Sequence, residues 1–145
     1  MMSMNKFWIA VISKDHAMQA VQGNFIQLSH GKEAPLKRLH KGDWLLIYSS
    51  KNSINSNEKC QTFTAVGQVS DDRIYQAEMN ENFKPFRRNL QFFPCTPVSI
   101  LPLINELSFI QNKKSWGYPF RFGFFEIHKN DFFLIAKGMM DISMI

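Results

Sequence analysis

Several features that define common classes of enzyme and membrane protein are missing from this sequence of 145 residues. The two cysteines, Cys60 and Cys95, are far apart and match no metal-binding spacing, so we expect two reduced thiols. No apolar run approaches the ~20 residues that span a bilayer. No apolar segment with a small-residue cleavage site begins the chain. We therefore expect a cytoplasmic protein with no transmembrane helix, no membrane partner and no secretory signal.

Motifs for catalysis are also missing. The sequence has no nucleophile elbow, no Gly-rich phosphate-binding loop and no helical zinc motif. Its four histidines, at positions 16, 30, 40 and 128, form no pair at ligand spacing. The acidic clusters at Asp71–Asp72 and Glu78–Glu81 lie in turn-like contexts, so nothing points to a carboxylate pair for acid–base chemistry. We expect no enzyme activity, no cofactor and no metal site.

The composition is that of a folded domain rich in aromatic rings. Hydrophobic residues make up 45% of the chain and charged residues 20%, which is ordinary for a soluble domain. The 14 Phe residues favour a core and a pocket built largely from rings. With no repeat and no linker, we expect a single domain over residues 1–145. The net charge of +5 is compatible with a phosphate-bearing partner.

The stretch from His40 to Ser50 organises the predicted fold. A turn at residues 40–43 precedes the unbroken apolar run of residues 44–48. Such a run, rich in β-formers, is typical of a strand buried on both faces. The hydroxyls of Tyr48, Ser49 and Ser50 end this strand, and a hydroxyl-lined strand end suits the mouth of a pocket in a small barrel.

The remaining pattern predicts short elements around this strand. A helix is predicted at residues 14–22, another at 103–110, and a final one capped by Asn130 or Asp131. A turn at Asp71–Asp72 separates two of the predicted strands. Further strands are predicted at residues 6–13, 60–69, 73–78, 83–93 and 120–127. About six strands without a sustained βαβ period predict an α+β fold, a curled mixed β-barrel with short flanking helices.

Two kinds of segment are candidates for binding. Residues 25–28 alternate, so Phe25 and Gln27 share one face, where a ring beside an amide can stack on and hydrogen-bond a planar heterocycle. An edge strand with a solvated glutamine fits the same pattern. Basic residues interleave with rings at 84–88 and 113–118, which suits binding to phosphates and bases. A solvated basic surface beside core aromatics is the alternative there.

A series of short motifs extends in order along almost the whole chain. They include Phe7-Trp8-Ile9-Ala10-Val11, Ser13-Lys14-Asp15-His16, His30-Gly31-Lys32, Gly42-Asp43-Trp44, Pro85-Phe86-Arg87-Arg88, Trp116-Gly117 and Phe120-Arg121-Phe122-Gly123. In this series the sequence resembles the EVE-domain family, small PUA-like barrels also known as UPF0310 proteins. The Asn- and Ser-rich stretch Lys51–Lys59 and the tail after Met140 depart from the family pattern.

The resemblance implies a PUA-like barrel related to YTH domains, which hold a modified adenine in an aromatic cage. It also implies a reader of modified bases, in DNA more than in RNA. A base enters such a pocket only when it is flipped or already unpaired. Our hypothesis is a non-catalytic reader of a flipped, modified cytosine or adenine, acting as a monomer.

From spacing and resemblance we assign two sets of residues to this function. The base pocket is predicted to comprise Trp8, Ser13, Lys14, His16, Phe25, Gln27, Tyr48 and Ser49. Contacts to phosphate or base are predicted for Lys84, Arg87, Arg88 and Arg121. Trp8 and Trp44 lie in apolar runs, where core packing fits better than a place in the cage.

Two other classes of function remain open. One is a PUA-like RNA-binding accessory domain, which would carry a more continuous basic stripe. The other is a small-molecule-binding or protein-interaction module, which would leave the basic residues scattered after folding. A contiguous basic rim around a concave, ring-lined pocket would favour the base reader.

Overall fold

The computed structural model describes residues 4–145, which form two helices, seven strands and several 3₁₀ turns. The strands are β1 (Phe7–Val11), β2 (Phe25–Ile26), β3 (Trp44–Lys51), β4 (Lys59–Gln76), β5 (Phe86–Phe92), β6 (Val98–Ser99) and β7 (Phe124–Ile127). The helices are α1 (Lys14–Gly23) and α2 (Lys129–Ala136). Among residues 4–145, no helix combines the length and the apolar character that crossing a membrane requires.

The strands form one curled sheet of mixed direction. Its order is β2-β5-β4-β3-β1-β7, and β6 adds to β4 beside this path. β1 and β3 are parallel, whereas the other pairs are antiparallel. Within the described residues β2 and β7 do not pair, so the sheet curls without closing into a full barrel. The predicted α+β class and the curled mixed sheet are thereby confirmed.

β3 is buried on both faces, as its unbroken apolar run predicts. Trp44, Leu46 and Tyr48 point into one cluster, which includes Phe132 and Ile135 of α2. Leu45 and Ile47 point into a second cluster on the opposite face, which includes Ala17 of α1. β3 therefore lies in the middle of the sheet, between β4 and β1. One hydrophobic cluster covers each of its two faces.

The predicted turn at Asp71–Asp72 is wrong, and the strand predicted to return from it is part of β4. The pairing of β4 with β5 shifts between Val69, opposite Leu90, and Ile74, opposite Arg88, so residues 70–73 bulge out opposite Asn89. The Asp71 carboxylate accepts a hydrogen bond from Asn89 Nδ2 at 2.9 Å. This bond, with one from the Arg73 backbone N–H, lowers the pKa of Asp71. Asp71 and Asp72 have the sequence character of turn residues, but here they lie in a bulge within one continuous strand.

The helix predicted at residues 103–110 is also wrong. Only Leu101–Leu103 forms a 3₁₀ turn, and the chain then continues without regular structure. Ser108 donates to the buried carboxylate of Asp131 on α2 from its backbone N–H, at 3.0 Å, and from its hydroxyl. The distant carboxylate of Asp131 therefore takes the Ser108 backbone N–H, which a helix would have bonded to a backbone carbonyl oxygen. The strand predicted from residue 120 begins at Phe124, after a 3₁₀ turn over Tyr118–Phe122.

Candidate functional site

A cavity of about 520 Å³ opens where the sheet remains unclosed. Its wall includes the ends of the parallel strands β1 and β3, one face of α1, and residues from both edge strands, β2 and β7. The carboxyl ends of parallel strands are a common place for ligand sites, because their side chains and loops converge there. Polar or charged side chains in the wall are Ser13, His16, Gln19, Gln27, Ser29, His30, Ser50, Lys51 and Arg87.

A ring, a guanidinium and an amide form one unit in this wall. The Arg87 guanidinium carbon lies 4.0 Å from the ring centroid of Phe25. Arg87 Nε donates to Gln27 Oε1 at 3.1 Å. The antiparallel register of β2 and β5, in which Phe25 opposes Asn89, brings these side chains together on one face. Arg87 is therefore held over the ring by two contacts rather than free in solvent.

A strained turn forms another part of the wall. Ser29 and His30 have positive φ of 49° and 61°, and Gly31 follows with 85°. Gly31 cannot be replaced without displacement, because an added Cβ would lie 2.4 Å from Pro85 Cβ. Ser29 and His30 hold the left-handed conformation although neither is glycine, so each carries a strain of about 1–3 kcal/mol. Strain of this kind clusters at ligand sites, and both side chains line the cavity.

The electrostatic character of the cavity is positive. Lys51 and Arg87 line it together with His16 and His30, whereas none of the lining residues is Asp or Glu. The nearest carboxylate along the chain from Ser13 is that of Asp15, which accepts a hydrogen bond from the Ser13 hydroxyl at 2.6 Å. That bond lowers the pKa of Asp15. Because the Ser13 hydroxyl donates its hydrogen to the Asp15 carboxylate, it faces a ligand as an acceptor rather than as a donor. The cavity thus favours ligands that carry negative charge or several acceptors.

Five of the predicted site residues line the cavity. They are Ser13, His16, Phe25, Gln27 and Arg87. Lys14 is exposed on the first turn of α1 and does not line it. Ser50, which the sequence places at the hydroxyl-lined end of the central strand, also lines the cavity. Sequence reasoning missed the wall residues Gln19, Ser29 and His30. A signal was present for two of them, because Ser29 and His30 immediately follow the alternating segment that supplies Phe25 and Gln27.

Three further predicted residues lie in the core instead. The Trp8 indole stacks on Phe124 with centroids 4.8 Å apart, and its Nε1 donates to Asp43. Tyr48 stacks on Phe120 at 4.1 Å, and burial raises the pKa of its hydroxyl. Ser49 is fully buried, with its hydroxyl 2.9 Å from that of Thr64. Trp8, Tyr48 and Ser49 do not line the cavity, and the β3 contribution begins one residue later, at Ser50.

The four predicted cations separate into different environments. Arg87 alone lines the cavity. Lys84 is half exposed and lies 3.9 Å from Glu78, and Arg121 is exposed in the 3₁₀ turn before β7. Arg88 is buried on β5 beside the bulge of β4, where it donates to the Asp71 carbonyl oxygen at 3.0 Å and lies 3.9 Å from Asp72. Burial lowers the pKa of Arg88, and its guanidinium is bonded within the protein rather than presented to a ligand.

We expect Arg88→Ala to lower the free energy of unfolding by about 2 kcal/mol, because it opens a cavity and leaves the Asp71 carbonyl without its donor. Arg88→Met fills most of the same volume without a buried charge and should cost less. Urea unfolding of the two variants checks the difference. Equal stability of Arg88→Ala and the unaltered protein would contradict the structural role of Arg88.

The described part of the chain shows neither a cluster of metal ligands nor a thiol suited to nucleophilic chemistry. Within residues 4–145, no group of three or more His, Cys, Asp or Glu side chains is placed to hold a metal ion. Cys60 and Cys95 are both free and half-buried. Burial raises the pKa of Cys95, which leaves it a poor nucleophile at neutral pH.

The fold and the site define an α+β domain whose curled, open sheet holds a ligand-sized cavity at its unclosed end. The sequence profile of the EVE domain matches residues 6–138, and the chain belongs to the EVE-domain family.

Relatives cover nearly the same length. The chain is 50% identical over 130 residues to a UPF0310 protein in the gntR 5′ region of Bacillus licheniformis, covering 90% of this chain and 88% of the relative. It is 46% identical to a UPF0310 protein of Mycobacterium avium, covering 92% and 97%. The NMR structure of Rpa0253 from Rhodopseudomonas palustris has a similar fold, with a TM-score of 0.58 at 13% identity and 91% coverage of each chain.

Proposed function

We propose that this protein is a non-catalytic module that binds a flipped or unpaired modified nucleobase in the cavity at the open end of its sheet. Membership of the EVE family suggests a PUA-like nucleic-acid-binding module, and the family is in general one of binding domains. The finer parts of the proposal are the modified base, a cytosine or an adenine, and a preference for DNA over RNA.

The arrangement of Phe25, Arg87 and Gln27 is the observation that carries the proposal. A guanidinium held over an aromatic ring offers a planar, cationic group on which a base can stack. Gln27 fixes the orientation of that plane through its bond to Arg87 Nε. The cavity volume, about 520 Å³, falls in the range of roughly 300–1,000 Å³ that is usual for small-ligand sites.

The charge of the wall supports the same ligand. A base attached to its phosphates brings negative charge and several acceptors, and Lys51, His16 and His30 can meet them as donors or cations. Extracting a base from a duplex costs a few kcal/mol, least where pairing is already weak. Stacking contributes about 1–3 kcal/mol per base, so the Arg87 plane and a few edge hydrogen bonds offset that cost.

A titration with matched oligonucleotides tests the proposal. Single-stranded 9-mers carry one central 5-methylcytosine, 5-hydroxymethylcytosine or N6-methyladenine, and unmodified DNA and RNA of the same sequence serve as controls at one fixed salt concentration. We expect at least one modified DNA to bind about tenfold or more tightly than its control, which corresponds to roughly 1.4 kcal/mol. Equal affinities for the modified and unmodified strands would contradict the proposal that the protein reads a modified base. Tighter binding of unmodified RNA would favour an RNA-binding accessory domain.

A further inference from the structure

A second concave surface lies on the other side of β7. This aromatic groove, with a volume of about 550 Å³, is lined by the rings of Phe109, Tyr118, Phe122 and Phe125, with Asn112 and Ser115 at its polar side. Tyr118 is 58% exposed and Phe122 is 65% exposed, with their rings packed edge to face at 5.6 Å. Two large rings kept in water next to a groove are typical of an interaction surface rather than of a packed core.

None of the residues that line the aromatic groove is Asp or Glu. The segment of residues 107–125 contains Lys113, Lys114 and Arg121, and the glutamates that flank it are Glu106 and Glu126, of which Glu126 lies 3.9 Å from Lys6. Lys113 is used internally, since its Nζ donates to the Leu107 and Ile110 carbonyl oxygens. Lys114 and Arg121 are exposed and form no ion pair with any residue between 4 and 145. Exposed rings beside unpaired cations, in a groove with no carboxylate in its lining, suit a polyanion with flat, stackable groups.

The aromatic groove and the cavity are joined by one short segment. Gly123 and Phe124 line the cavity, whereas Phe122 and Phe125 line the groove. Successive side chains of a strand point to opposite faces, so the start of β7 separates the two sites by the thickness of one edge strand. At Gly123 the surface between them is open, because an added Cβ would meet no atom within 4 Å. No side chain at position 123 therefore separates the two sites.

We propose that the aromatic groove binds the nucleotides that flank the flipped base on the same single strand. Tyr118 and Phe122 provide the stacking faces, and Lys114 and Arg121 lie where the phosphates pass. This inference rests on the proposed function, since it takes the cavity as the place of the flipped base. It adds a second binding surface, which makes affinity depend on the length of the strand as well as on the modification.

The test compares a short probe with a long one. The short probe is the 5′-monophosphate of the modified nucleoside that binds best among the three modifications, and the long probe is the corresponding single-stranded 9-mer. The double variant Tyr118→Ser/Phe122→Ser should weaken 9-mer binding by about tenfold and leave monophosphate binding unchanged. Leu101→Ser, which alters a residue 56% exposed and outside both sites, is the matched control and should change neither.

Unchanged 9-mer affinity in the double variant would overturn the proposal and leave the exposed rings to a protein partner. Both altered residues are exposed, so the double variant should fold, which its unfolding transition verifies. Failure of the proposed function has a different signature, because modified and unmodified probes would then bind the unaltered protein equally. In that case a weaker 9-mer complex in the double variant would still support the groove, and an unchanged one would still overturn it.

Discussion

Asp43→Ala should lower the free energy of unfolding by about 3 kcal/mol or more, because the Asp43 carboxylate is the shared acceptor of three donors. It is 2% exposed. Oδ1 accepts from the Lys6 backbone N–H at 2.9 Å, and Oδ2 accepts from Trp8 Nε1 at 3.1 Å and from the His40 backbone N–H at 2.9 Å. Each buried donor that loses its acceptor costs about 1–3 kcal/mol.

Urea unfolding measures this loss, with Asp141→Ala as the matched control. Asp141 also accepts two hydrogen bonds, from the backbone N–H and the hydroxyl of Ser143, but both bonds are exposed to water. Its replacement should cost no more than about 1 kcal/mol, because water can satisfy the released groups. If Asp43→Ala and Asp141→Ala were equally mild, the turn before β3 would not depend on the buried carboxylate.

The Asp43 carboxylate also connects the stability of the fold to the candidate site. It fixes the Trp8 indole, which stacks on Phe124, and Phe124 lines the cavity. The Arg38 guanidinium carbon lies 5.0 Å from each of the two ring centroids, so it packs beside both rings of this stack. Trp8 therefore supports the cavity wall from behind, although it does not line the cavity itself.

What the sequence predicts well is what depends on neighbours along the chain. The apolar run of β3 and the amphipathic pattern of α1 are local signals, and both elements form where the pattern places them. The bulge of β4 and the irregular chain after Leu103 are different, because each depends on a distant partner. Asp71 is bonded to Asn89, and Ser108 to Asp131, and neither pairing is visible in a window of sequence.

The same distinction applies to the candidate site. Alternation along one strand places Phe25 and Gln27 on one face, and the structure places both in the cavity wall. Tyr48 and Ser49 end a strand with hydroxyls, but those side chains turn into the core, where Ser49 meets Thr64. Arg87 and Arg88 are adjacent and chemically identical, so only the pleat of β5 and the bulge of β4 decide which one faces the cavity.

Arg87→Lys should weaken binding of the modified 9-mer by roughly 5- to 150-fold, which corresponds to about 1–3 kcal/mol, without changing the salt dependence. Lysine keeps the positive charge but has neither the plane that covers Phe25 at 4.0 Å nor the Nε–H that Gln27 accepts. If Arg87 acts as a stacking surface, Arg87→Lys and Arg87→Met lose the same affinity. If it instead contacts a phosphate, lysine retains most of the affinity, and methionine reduces the salt slope by about one.

Titrations at several salt concentrations separate these two roles, and Arg88→Met is the matched control on the same strand. Arg88 is 4% exposed and does not line the cavity, so its replacement should leave both the affinity and the salt slope unchanged. Gln27→Leu should give a smaller loss than Arg87→Lys, because the guanidinium plane remains but is no longer held in one orientation. Full affinity in Arg87→Lys would contradict the stacking role, because charge alone would then account for everything that Arg87 contributes to the complex.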